Sequence, residues 1–205
     1  MLPLDPRALG IIILSLLALL VVVKRVATGT ILGDRPQAGL GLWVSHVYNM
    51  SFLLVVNPLA GLLLVARRLD LDPTHLAIQD PRALALCQVV GLVLSMAGYA
   101  LMAWALLALR TSYQPGGCAP RAGDRLVVAG PYGLIRHPMY TAALLIALGL
   151  AGLTQSFASL AVFASYVVLI GLLLPVEEGR LQRIYGEAYA SYQRRVGRLI
   201  PLMPR

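Results

Sequence analysis

The chain has 205 residues, 59% of them hydrophobic and 13% charged, about half the charged share, roughly 25%, of a soluble globular domain. That composition excludes an ordinary cytosolic enzyme, a disordered chain and a secreted disulfide scaffold, and it points to a membrane protein. A formal net charge of +8 would suit nucleic acid, but the basic residues flank apolar runs, where anionic lipid headgroups account for them.

Apolar runs occupy residues 8–23, 40–66, 83–109 and 141–174. The first is followed by Lys24-Arg25, where a signal peptide would carry a small-residue cleavage site, so it is predicted to be a span. In the second, His46 and Asn49 fall on one helix face and Asn57-Pro58 marks a kink; bonding between neighbouring helices is the simplest use of such uncharged groups. Ser51, Gly91, Ser95 and Gly98 read as close-packing positions, and Cys87 and Cys118 as free thiols. The fourth run is longer than the roughly 20 residues one helix needs, so a helical hairpin is predicted, turning near Gly149, Gly152 and Thr154-Gln155-Ser156.

Five spans distribute the charge sharply. Thirteen basic and five acidic residues fall on the side away from the N-terminus, and four of each on the other. Basic residues collect in the cytoplasm, so the C-terminus is predicted to be cytoplasmic, with residues 110–140 and 177–205 in one compartment. The expected fold is all-α: a polytopic bundle of about five transmembrane helices plus a C-terminal amphipathic helix. Residues 1–109 are expected to form three N-terminal helices with their loops, and residues 110–205 a second region made of a loop, the helical hairpin and the C-terminal amphipathic helix.

The loop after the third span has turn chemistry at Gln114-Pro115-Gly116-Gly117, Gly123-Asp124 and Gly130-Pro131-Tyr132-Gly133, with Leu126-Val127-Val128 extended between them. Pro138 fits the first turn of the fourth helix. Free N–H groups there, beside Arg136 and His137, would suit a carboxylate or phosphate; as basic residues flanking a span, the two also fit as interfacial anchors. Glu177-Glu178, after Pro175, are expected to cap a new helix. Its apolar face would carry Leu181, Ile184, Tyr185, Ala188, Tyr189, Tyr192 and Val196, three of them tyrosines able to wall a cleft against residues 132–140.

In this order Leu126-Val127, Gly130-Pro131-Tyr132, Arg136-His137-Pro138-Met139-Tyr140, Glu177-Glu178, Gly186-Glu187-Ala188-Tyr189 and Tyr192-Gln193-Arg194-Arg195-Val196 resemble the isoprenylcysteine carboxyl methyltransferase family. The resemblance covers about residues 124–201, and the spans before Leu109 carry none of it. It implies an integral membrane methyltransferase using S-adenosylmethionine without a soluble Rossmann-type fold, and no strand–Gly-x-Gly–helix unit is present. The cofactor contacts it implies are Asp124, Arg125, Leu126, Val127, Tyr132, His137, Pro138, Met139, Tyr140 and Glu177, with Arg136 and Glu178 beside them in catalytic or orienting roles. No metal and no nucleic acid are expected; the partners are a lipophilic or lipidated acceptor and membrane lipid.

Two positions depart from the family. Asp124 stands where relatives commonly have His, and Leu173 where they have a substrate-contacting Arg. Without that Arg, a neutral or weakly acidic acceptor is favoured over a prenylcysteine carboxylate. A carboxylate or thiolate needs no base; for a phenol or amine, Glu178 or His137 would be the nearest. The competing readings are a sterol-reductase-type membrane enzyme using NADPH and a small transporter or scaffold. Polar residues gathered at one boundary, rather than along a path through the bilayer, argue against transport.

Overall fold

The computed structural model describes residues 2–31, 40–113 and 124–201, with the side chains of all of these except 40–42. Gln114-Pro115-Gly116-Gly117, Cys118 and Gly123 therefore lie outside the described residues, while Cys87 is a free thiol. Among the described residues the fold is all-helical, with two isolated bridges and no strand.

The first helix, α1, is Pro6–Thr28, capped by Asp5, whose side chain takes the Arg7 N–H with proline at the first turn. Next come α2, Leu40–Ser51, and α3, Asn57–Ala66, joined by a π turn over Phe52–Val56. This π turn is the form taken by the expected kink: the backbone N–H of Asn57 and its side-chain amide both donate to the Phe52 carbonyl. Then follow α4, Pro81–Leu109, α5, Pro138–Thr154, and α6, Phe157–Tyr185. The predicted hairpin turns at Gln155-Ser156, while Gly149 and Gly152 lie inside α5. Among the described residues, four apolar helical stretches are long enough to cross a membrane; α5, with 17 residues, reaches about 26 Å at 1.5 Å per residue. The chain is a multi-pass membrane protein.

Small residues set the central contact. A Cβ on Gly91 would meet the Gly149 carbonyl at 2.7 Å, and one on Gly98 the Ala142 carbonyl at 2.8 Å, so α4 and α5 approach as closely as backbone allows. Gly91, Ser95 and Gly98 are thus packing positions as expected, whereas Ser51 is exposed.

The C-terminal part differs from expectation. Pro175 lies within α6, which runs unbroken to Tyr185, so Glu177 and Glu178 sit in mid-helix and cap nothing. The break comes at Gly186, where φ is +54°, a value glycine adopts without strain. The amphipathic helix beyond it, α7, is only Glu187–Arg195.

Candidate functional site

The chain after α7 folds back along the entry to α5. The N–H of Arg136 donates to the Gly197 carbonyl at 2.8 Å and that of His137 to the Arg198 carbonyl at 3.1 Å, and Thr141 Oγ1 donates to the Leu199 carbonyl at 2.9 Å. The tail thereby pins the loop that carries the Arg-His-Pro motif.

Beneath this clamp lies a buried charge cluster around Glu178, which is 4% exposed. Its Oε1 accepts from Arg136 Nε at 3.0 Å, Arg136 Nη2 at 2.8 Å and His137 Nε2 at 3.2 Å, and its Oε2 accepts from Arg198 Nη2 at 2.6 Å. Arg136 Nη1 also donates to the carbonyls of Gln193 and Val196. Every side of this pair is engaged, which is how buried charge becomes tolerable.

Glu177, one residue away, is engaged on one side only. Its Oε2 accepts from the Tyr140 hydroxyl at 2.7 Å, while Oε1 has His137 Nδ1 no nearer than 4.0 Å. The buried hydroxyl of Tyr189 has no partner among the described residues. The helix N-terminus offers less than expected: the N–H groups of Tyr140 and Thr141 both return to the His137 carbonyl, Pro138 has none, and only that of Met139 is left for a ligand.

Glu177 and Tyr189 open onto a cavity of about 270 Å³, whose wall at this end also includes Asp124, Arg125, Leu126, Val127, Tyr132, Arg136, His137, Met139 and Tyr140. Of the predicted site residues, Pro138 and Glu178 are not in the wall; both lie buried behind it. Tyr185, Tyr189 and Tyr192 face the Tyr132 and Tyr140 segment across the cavity, as the amphipathic pattern suggested. The Tyr192 hydroxyl donates to the Tyr132 carbonyl at 2.6 Å. Burial pushes the phenols of Tyr132 and Tyr189 above their ordinary range and that of Tyr192 up to about 12, so all three are neutral walls. The other end reaches into the bundle between Leu17, Leu20, Phe52, Met102, Leu106 and Ile146. Sequence reasoning missed Arg198, which read only as tail charge, and Lys24, which read as a boundary cation but is 6% exposed and lines the cavity.

The sequence profile of the phospholipid methyltransferase family matches residues 86–188, half of the chain. The chain belongs to that family. The match begins in α4, so the likeness extends upstream of the motif loop, where the motifs alone carried none of it. Among curated relatives, the cobalt-zinc-cadmium resistance protein CzcN of Cupriavidus metallidurans is 37% identical over 82 residues, 40% of this chain and 38% of that protein. The methanethiol S-methyltransferase of Pseudomonas deceptionensis is 36% identical over 74 residues, 36% of this chain and 28% of that enzyme. The matched stretches thus span little more than a third of the relatives' length or less. A solved structure of the eukaryotic intramembrane Ras methyltransferase, isoprenylcysteine carboxyl methyltransferase, aligns with 91% of this chain and 74% of its own at a TM-score of 0.55 and 18% identity. That likeness carries the fold, and with it the expected all-helical membrane architecture.

Proposed function

We propose that the chain transfers a methyl group from S-adenosylmethionine to a lipophilic acceptor at the cytoplasmic boundary of the membrane. One observation carries this reading: a single cavity has incompletely bonded polar groups at its boundary end and apolar helix faces at the other. Such a cavity suits a water-soluble donor at one end and a membrane-dissolved acceptor at the other.

The residues fit the donor. The Oε1 of Glu177 and the hydroxyl of Tyr189 await partners, as an ammonium group and ribose hydroxyls would supply. Leu126, Val127 and Tyr132 offer walls for adenine. In this reading Arg125 and the Met139 N–H take the carboxylate, and His137, between two glutamates, orients them. When bound, the donor supplies an electrophilic methyl on a sulfonium. The protein's part is alignment and exclusion of water, and Arg136 and Glu178 act as the pair that positions the motif loop. Leu173 is partly buried on α6 and outside the cavity wall, so no cation stands where the resemblance would place one.

Calorimetry in detergent should show S-adenosylhomocysteine binding and no NADPH binding, with the affinity weakened about ten- to a hundredfold by Glu177→Ala. NADPH binding instead would favour a reductase. Reporter fusions should place the C-terminus in the cytoplasm and the loop between α3 and α4 outside; the opposite result would overturn the orientation read from the charge split.

A further inference from the structure

Two polar groups in the cavity wall are left unused by donor binding. The first is the ammonium of Lys24, on the last turns of α1. It is 6% exposed, lies 5.3 Å from the centre of the Tyr113 ring and has no ion pair or hydrogen bond with any described residue. A buried cation without an anion is costly, and inside a membrane protein it calls for a partner. The second is His46 on α2, whose imidazole also has no described hydrogen-bond partner. Its polar neighbours in the wall are satisfied. Asn49 donates to the Ser45 carbonyl at 2.9 Å and accepts from the Tyr166 hydroxyl at 2.9 Å. Asn57 donates to the Phe52 carbonyl and accepts from the Tyr99 hydroxyl at 2.7 Å.

Helix rise puts the two groups at a similar depth. α1 runs antiparallel to α3, and a Cβ on Gly10 would meet the Gly61 carbonyl and the Val65 nitrogen, each at 2.6 Å. From Gly10 to Lys24 is a rise of about 21 Å at 1.5 Å per residue. The same rise taken back from Gly61–Val65, through the π turn with its extra residue, ends in the turn of α2 that holds His46 and Asn49. Lys24 and His46 therefore flank the cavity between its polar and apolar ends.

Resting on the methyl-donor reading, we infer that Lys24 and His46 form the station for the acceptor's reactive group, and that the acceptor is a lipophile with a weakly acidic X–H bond, a thiol or phenol. A ring nitrogen of His46 takes the proton from X–H, and the resulting anion sits against the Lys24 ammonium. The X–C bond forms as the donor's S–CH3 bond breaks, its electron pair leaving on sulfur as a neutral thioether. The proton passes from His46 to water at the boundary. A carboxylate would leave His46 idle, and an amine would be repelled by Lys24 before losing its proton. A preorganised cation beside the developing anion also supplies the electrostatic stabilisation such a site needs.

The test compares acceptors of graded acidity with purified protein in detergent: decanethiol, para-nonylphenol, para-decylthiophenol, decylamine and N-acetyl-farnesylcysteine. With S-adenosylmethionine present, the thiol and phenol should be turned over in preference to the amine and the carboxylate. His46→Ala should lower kcat on decanethiol and nonylphenol about a hundredfold or more, the scale of a general base, but lower it only slightly on the thiophenol, which reaches the site already ionised. Lys24→Gln should raise KM for all three, and Lys24→Arg should restore it. Neither change should alter S-adenosylhomocysteine affinity. A uniform loss across acceptors, no loss, preference for the carboxylate or amine, or weakened S-adenosylhomocysteine binding in Lys24→Gln would each overturn the inference while leaving methyl transfer intact. Wild-type protein that binds no S-adenosylhomocysteine would instead overturn the methyl-donor reading itself.

Discussion

The two ends of the helix bundle use the same device, a loop hydrogen-bonded across helix termini, to opposite effect. At the end away from the cavity, the segment between α3 and α4 clasps the α5–α6 turn. The Leu76 N–H donates to the Gln155 carbonyl at 2.7 Å and the Phe157 N–H to the Thr74 carbonyl at 3.1 Å, while His75 Nδ1 bonds to the Thr154 carbonyl at 2.9 Å. Asp72 takes the Thr74 N–H and hydroxyl and the Ser156 hydroxyl. Each group there answers another, and the arrangement is closed. At the cavity end the Arg136–Glu178 layer is just as saturated, but the layer in front of it is not: Glu177, His46 and Lys24 keep bonding capacity in the cavity wall, and the covered Tyr189 hydroxyl beside them has no partner among the described residues. Burying polar groups is costly unless they are paired, so several unsatisfied groups gathered around one cavity mark a site, whereas the lone unpaired Ser95 hydroxyl between α4 and α5 does not.

The largest expected effect comes from breaking the saturated layer. Glu178→Ala leaves the Arg136 guanidinium buried without its carboxylate, which costs about 3–5 kcal/mol. The melting transition in detergent should fall steeply, and S-adenosylhomocysteine binding should be lost with it. Replacing both partners by apolar residues, Arg136→Met with Glu178→Leu, should recover much of the stability, because no unpaired charge remains. A Glu178→Ala protein that melts like wild type would show that the layer is not structural.

The unsaturated layer should behave in the reverse way. Glu177→Ala gives up one hydrogen bond from Tyr140, so its cost in stability is about 1 kcal/mol, while donor affinity falls by the ten- to hundredfold already stated. If Glu177→Ala and Glu178→Ala destabilised equally, adjacent acids would not divide into ligand and scaffold, and the contrast between layers would fail.

Much of this was legible in the residues. Apolar run lengths gave the spans, Pro138 the start of α5, and Gly91, Ser95 and Gly98 the close approach of α4 to α5. The motif from Arg136 to Tyr140 marked the site through its resemblance to the family pattern, because basic residues beside a span, taken alone, read equally well as interfacial anchors. What stayed hidden depends on direction and depth. Two adjacent acids look alike in a sequence, but successive helical side chains diverge by about 100°, which sends Glu178 into the charge cluster and Glu177 into the cavity. Pro175 read as a stop because proline usually ends a helix, yet α6 continues past it. Lys24 read as a boundary anchor beside Arg25, since nothing local shows that one of the two is covered by residues far along the chain.

The smallest effect belongs to the closed end and tests whether the two ends are separable. Burial pushes the Asp72 carboxyl up, but hydrogen bonds from Ser156 and Thr74 outweigh it and hold the group below its ordinary range. A carboxylate lowered in the folded state contributes stability that is fully present above its unfolded value, about 3.9, and is lost as pH falls through the lower folded value. Asp72→Asn keeps the shape but weakens acceptance from the two hydroxyls, so it should cost about 1 kcal/mol at neutral pH. The difference in melting temperature between wild type and variant should hold down to about pH 5 and narrow below about pH 4, because protonated Asp72 loses the same advantage. S-adenosylhomocysteine affinity at neutral pH should not change, since no described residue of this cluster lines the cavity. A shift in that affinity would mean that the clasp on the α5–α6 turn sets the tilt of α6, and through it the aim of Glu177, so that the closed end would be part of the site's machinery.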